Sequence, residues 1–174
     1  MKQITTVIFL TCFLLVGCNN KPETDTTLQS ETTTPEKTRE DKEDRNRNVI
    51  LEAFEGVNAH DVEKMFANSA SDHMEYYDGS RPAAKGVDTL KAWGKAFFAA
   101  IPDVKDKVLE VVADDNVVMA YVETTGTPIN DFMGPNTAGK EFKGRWVHIF
   151  KLNDEGKITE HRSVGGLTSG MQKN

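Results

Sequence analysis

The hydrophobic period of this chain changes at Pro102, and that change restricts its fold more than any other feature. Before Pro102 apolar residues recur at helical spacing; after it they alternate. Val49, Ala53, Phe54 and Val57 mark a first helix. The turn Asn58-Ala59-His60-Asp61 breaks it, and Asp61 can cap a short second helix carrying Val62, Met65 and Phe66. A third helix is expected from about Val87 to Ala100. Val87, Leu90, Trp93, Phe97 and Ile101 form its buried stripe, with Lys91 and Lys95 outside. Pro102 stops it. The next run alternates Val104, Val108 and Val112 with Lys105, Lys107 and Leu109. Asp114-Asp115-Asn116 reads as a hairpin turn, followed by a strand over Val117 to Thr125. A long loop, Gly126 to Lys140, leads to a strand over Phe142 to Leu152. Asn153-Asp154-Glu155-Gly156 then turns into a last strand, Lys157 to Val164. Helices first and an antiparallel meander last give an α+β class, with the helices on one face of a curved sheet.

The segment ahead of this domain has a different character. Lys2 precedes an apolar run, Val7 to Val16, that ends in Leu15-Val16-Gly17-Cys18. A charged start with an apolar core of this length is a signal peptide. The run is short of the roughly 20 apolar residues of a spanning helix. Small Gly17 before Cys18 resembles the lipobox of bacterial lipoprotein signals. Residues 1–17 are therefore expected to be removed, with lipid on Cys18 tying the protein to a membrane. Cys12 would leave with the leader, so Cys18 would be the one cysteine of the mature chain and no internal disulfide could form. Residues 18–45 are rich in threonine and charge, with Leu28 as their one large aliphatic residue. They read as a disordered tether, roughly 30 Å in average reach. The other reading of Glu36 to Arg45 is a solvated charged helix. The domain would then occupy residues 46–170.

Charge removes some classes of function. The net charge is −6, and loss of Lys2 with the leader makes it −7. Nucleic acid calls for basic patches, so it is not an expected partner. Gly134-Pro135-Asn136-Thr137-Ala138-Gly139-Lys140 has the spacing of a phosphate-binding loop. The next residue is Glu141, where the motif needs Ser or Thr, and a strand follows where it needs a helix. His60, His73, His148 and His161 show no metal-site spacing, no Gly-x-Ser-x-Gly elbow occurs, and no cofactor is expected.

The order of elements and several turn sequences together resemble a known family. They are Gly86, Ile101-Pro102-Asp103, Gly126-Thr127, the run Phe132 to Lys140, and Gly156-Lys157-Ile158-Thr159-Glu160-His161. Over residues 46 to 168 the chain resembles the SnoaL-like polyketide-cyclase branch of the NTF2-like superfamily. The resemblance implies a cone-shaped antiparallel sheet wrapped around three N-terminal helices. It also implies a deep apolar cavity for a small molecule and an outer sheet face that pairs two subunits. Relatives use the cavity for acid–base chemistry such as aldol ring closure, or only for binding, so fold alone does not fix function. Family cyclases carry a tryptophan after the Glu-His pair and an acidic base four positions beyond it. Here those positions hold Arg162 and Gly166. Glycine has no side chain to move a proton, so the family's base does not carry over.

The candidate site residues follow from strand parity. Trp146, His148 and Phe150 share one face of their strand. If that face lines the cavity, neutral His148 can act as acid or base near neutral pH; otherwise it is a hydrogen-bonded structural histidine. Glu160 and Arg162 share a face of the last strand and would either join His148 at the cavity wall or pair outside. Tyr76, Tyr77 and Asp78 precede the third helix and would either orient a ligand or close the core edge. Tyr121 completes the expected ligand-binding set.

Overall fold

A computed structural model describes residues 35–77, 82–131 and 134–169. Cys18, the leader, the tether up to residue 34, Asp78 and Phe132-Met133 lie outside the described residues. In chain order the elements are α1 (Pro35–Ala59), α2 (Val62–Met65), β1 (Ser69–Tyr76), β2 (Ala84–Lys85), α3 (Val87–Ala100), β3 (Lys105–Asp114), β4 (Val117–Gly126), β5 (Phe142–Leu152) and β6 (Ile158–Ser169). The six strands form one curved sheet in the order β2-β1-β6-β5-β4-β3. The α+β class with N-terminal helices against a curved sheet is the observed one.

The helices form where the sequence places them. The Asp61 carboxylate accepts the Lys64 amide at 3.0 Å and starts α2. Gly56 lets α2 lie against α1, because a Cβ there would overlap the Met65 backbone. Along α3 the expected stripe divides in two. Leu90 and Ile101 are buried, while Trp93 and Phe97 stack and line a cavity.

Four differences from the sequence reading have physical causes. First, α1 starts at Pro35, so residues 36–45 belong to the domain and not to a tether. They are not a free solvated helix either. Arg39 pairs with Asp114, Lys42 with Asp115 and Asp154, and Arg45 donates to the Asp154 carbonyl. Second, strands β1 and β2 precede α3. In Ser69–Tyr76 only His73 is buried, so no apolar alternation announces a strand. Third, the sheet is not wholly antiparallel, because β1 pairs parallel with β6. Fourth, the pairing of β3 with β4 shifts between Val108 and Glu110. That bulge reverses the faces beyond it. Val111 and Ala113 pack on the core, and Val112, expected inside, is 53% exposed.

Two apolar clusters fill the space between the helices and the sheet. One joins Ile50 and Phe54 of α1 to Val118, Ala120, Val122, Phe150 and Leu152. It closes the end of the sheet that carries the turns after β3 and β5. The other joins Val57, Val62, Phe66, Leu90, Phe98, Ile101 and Phe142 toward the opposite end.

Candidate functional site

The inner face of the sheet is apolar at one end and carries titratable groups in its middle. The side chains of α1, α3 and the sheet leave a cavity of about 340 Å³ between them. Phe54, Trp93, Phe97, Phe142, Trp146 and Phe150 supply most of its apolar wall. Trp146 reaches along β5 because Gly144 carries no side chain; a Cβ there would overlap the indole.

A carboxylate and two histidines run through the wall as a hydrogen-bonded chain. Glu75 and His161 are register partners across the parallel β1–β6 pair. His161 Nδ1 lies 2.8 Å from Glu75 Oε2, and His161 Nε2 lies 2.9 Å from His148 Nδ1. The imidazoles are nearly coplanar, with 3° between ring planes, and Phe54 stands edge-on to His148. His148 Nε2 is buried without a partner. Burial, then repulsion from His161, pushes the His148 pKa down to about 3.

The direction of the chain follows from the inventory of donors. The Glu75 carboxylate accepts the Nδ1 proton of His161. With its one ring proton on Nδ1, His161 would then accept the Nδ1 proton of His148 at Nε2. That leaves a bare acceptor at His148 Nε2, on a side chain that lines the cavity. A second proton on His161 would reverse the last link and make His148 Nε2 a donor. The arrangement is therefore a hydrogen-bonded chain whose unpartnered end belongs to a side chain of the cavity wall.

Two further polar groups share this wall. His73 is buried, with Nδ1 3.0 Å from the Ser69 hydroxyl and Nε2 unpartnered. Burial pushes its pKa down to about 4. Asp106 lies at the start of β3, and burial raises its pKa; the Thr124 hydroxyl donates to it at 2.5 Å.

Of the expected ligand-binding residues, Tyr77, Trp146 and His148 line the cavity. Tyr76, Tyr121, Glu160 and Arg162 do not. Register fixes them on the outer face, since Arg162 pairs with Ile149 and Tyr76 while Tyr121 pairs with Val147. There Arg162 sits 4.7 Å over the Tyr76 ring, and Glu160 pairs with Lys151 at 2.9 Å. On β6 it is His161, opposite Phe150, that shares the His148 face. Gly166 pairs with Arg145 at the exposed end of β6, and no atom lies within 4 Å of where its Cβ would stand. The loop that imitates a phosphate-binding motif holds its own anion. The Asp131 carboxylate accepts the amides of Thr137 and Ala138 at 2.9 and 3.1 Å. Among the described residues no three His, Cys, Asp or Glu side chains are grouped to hold a metal ion.

Glu75, His161, His73 and Asp106 are not among the site residues expected from sequence. The parity of β6 would have separated His161 from Glu160 and Arg162. Glu75 and His73 had no signal, because β1 does not alternate.

The SnoaL-like polyketide cyclase family profile matches residues 48–173. No curated protein matches the chain. Among solved structures, a SnoaL-like polyketide cyclase from Jannaschia sp. CCS1 superposes with a TM-score of 0.64 at 20% identity, covering 71% of this chain and 87% of that one. An LEH-like epoxide hydrolase of M. tuberculosis gives 0.57 at 14% identity, over 71% and 84%. SalBIII, an epoxide hydrolase/cyclase-like enzyme of pyran ring formation in the polyether salinomycin, gives 0.60 at 22%, over 73% and 95%. At these identities the structures share the fold alone. With the profile spanning most of its length, the chain belongs to the SnoaL-like polyketide cyclase family.

Proposed function

We propose that this chain is a lipid-anchored envelope protein whose domain holds a small, mostly apolar molecule. The cavity of about 340 Å³ carries this reading, because it is walled by aromatic rings and falls within the range of ligand sites. Lys2, the apolar run and Leu15-Val16-Gly17-Cys18 support export and lipidation at Cys18. A neutral hydrophobic dye, N-phenyl-1-naphthylamine, is expected to bind at one site per chain. Ser163→Trp, which fills the cavity, is expected to abolish that binding. Dye uptake that neither saturates nor responds to Ser163→Trp rejects the reading.

A second reading is favoured by one observation, the Glu75–His161–His148 chain with its unpartnered Nε2. In this reading the protein is a cyclase- or isomerase-type enzyme, and His148 exchanges a proton with the bound substrate. Relatives described as cyclases and hydrolases support it. His148→Ala would then abolish turnover while the dye still binds. Unchanged turnover would leave binding as the whole function.

The outer sheet face supports pairing with a second copy. It exposes Val112, Met119 and Val164, which are 53%, 43% and 53% accessible.

A further inference from the structure

Two polar positions of the cavity wall, His148 and the Asp106–Thr124 pair, are far apart. His148 pairs with Ala120 across β4–β5, whereas Thr124 pairs with Gly144, four residues along the strands. At strand rise that is about 13 Å. Between them the Trp146 indole lies along β5 toward Gly144. The wall thus runs from imidazole, over an aromatic surface, to the Asp106–Thr124 pair.

Asp106 is built in with care. Its peptide is clamped from α1, where the Asn58 carboxamide accepts the Asp106 amide and donates to its carbonyl, both at 2.8 Å. Thr124 opposes Asp106 across β3–β4, and its hydroxyl donates to one carboxyl oxygen at 2.5 Å. Among the described residues no cation pairs with this carboxyl, although burial disfavours its charge. A buried carboxyl without a counter-ion is costly in a wall that only needs to be apolar. Nor does the hydrogen-bonded chain through His148 use it.

We propose that Asp106, oriented by Thr124, is a second anchor of the cavity and hydrogen-bonds an oxygen-bearing group at the far end of the ligand. The inference rests on the cavity being a ligand site. It narrows the ligand class to uncharged, elongated molecules with an apolar middle and an oxygen function at each end.

Both tryptophans of the chain, Trp93 and Trp146, line the cavity, so intrinsic fluorescence reports its occupancy. The test compares decan-1-ol with decane-1,10-diol on the full domain. A cavity with one anchor prefers the mono-alcohol, because the second hydroxyl of the diol would be buried unpaired. Two anchors reverse that order. The diol is expected to bind roughly three- to tenfold more tightly, the range of one net hydrogen bond. Asp106→Leu is expected to invert the preference, and Asp106→Asn, which keeps the shape and a donor, to retain it. Should Asp106→Leu not fold, Thr124→Val is expected to weaken diol binding and leave decan-1-ol unaffected. A wild-type preference for decan-1-ol overturns the anchor and leaves the cavity reading standing. No fluorescence change with either alcohol overturns both.

Discussion

A histidine surrounded by phenylalanine rings is a weakened base, and this domain buries two of them. The pKa values of His148 and His73 fall to about 3 and about 4. In an unfolded chain both would titrate near 6.5. Between those values the unfolded state binds more protons than the native state. Stability is therefore complete above pH 6.5 and is lost as pH falls through the native pKa values. For His73, 3% exposed, the full effect is on the order of 3 kcal/mol. Urea midpoints measured from pH 7 to pH 4 are expected to fall, and less steeply in His73→Gln. Equal slopes for the variant and the wild type would show that His73 is not held neutral. The same burial keeps His148 uncharged at neutral pH, so its free nitrogen is a hydrogen-bonding group and not a cation.

Elements differ in how strongly their sequence declares them. The long helix α1 is fastened to the turns after β3 and β5 by polar contacts. Lys42 stands between Asp115 and Asp154 at 2.6 and 3.1 Å, and buried Asn46 donates to the Asp115 carbonyl at 2.8 Å. These contacts are unequal. Exposed ion pairs contribute about 0–1 kcal/mol, whereas losing a hydrogen bond made by a buried side chain such as Asn46 costs about 1–3 kcal/mol. Asn46→Leu is therefore expected to lower unfolding free energy by about 2 kcal/mol and Lys42→Ala by less than about 1 kcal/mol, measured by urea denaturation. A larger loss from Lys42→Ala would reverse this assignment. None of this could be read from Glu36 to Arg45 in sequence, because charge alone does not say what it will face. By contrast, α3 and β5 fall where their periods place them, since both are amphipathic and sharply terminated. Val112 was misplaced because a bulge has no signature in alternation. The site was half legible for the same reason. Parity put Trp146 and His148 on one face correctly, but their partners come from β6 and β1. Only the strand register brings His161 and Glu75 to them.

For the molecule as a whole, the two outstanding proposals concern its surroundings. Lipidation predicts that the wild-type chain sediments with membranes and that Cys18→Ser moves it to the soluble fraction. Pairing through the outer face predicts a dimer in analytical ultracentrifugation of the released domain, with Met119→Glu giving monomers. A soluble wild-type chain would remove the anchor, and a wild-type monomer at high concentration would remove the dimer. If the anchor is present, the grip of α1 on the two turns acquires a mechanical meaning. A chain held at one end carries tension at that end. Tension arriving at Pro35 would pass through Arg39, Lys42 and Arg45 into Asp114, Asp115 and Asp154, at the closed end of the sheet. Phe142 and Trp146 lie toward the opposite end of β5, away from that route. Load shed through these pairs would leave α1 before Ala53, Phe54 and Val57, its residues that line the cavity, and a protein tugged by its membrane would keep the shape of its binding site.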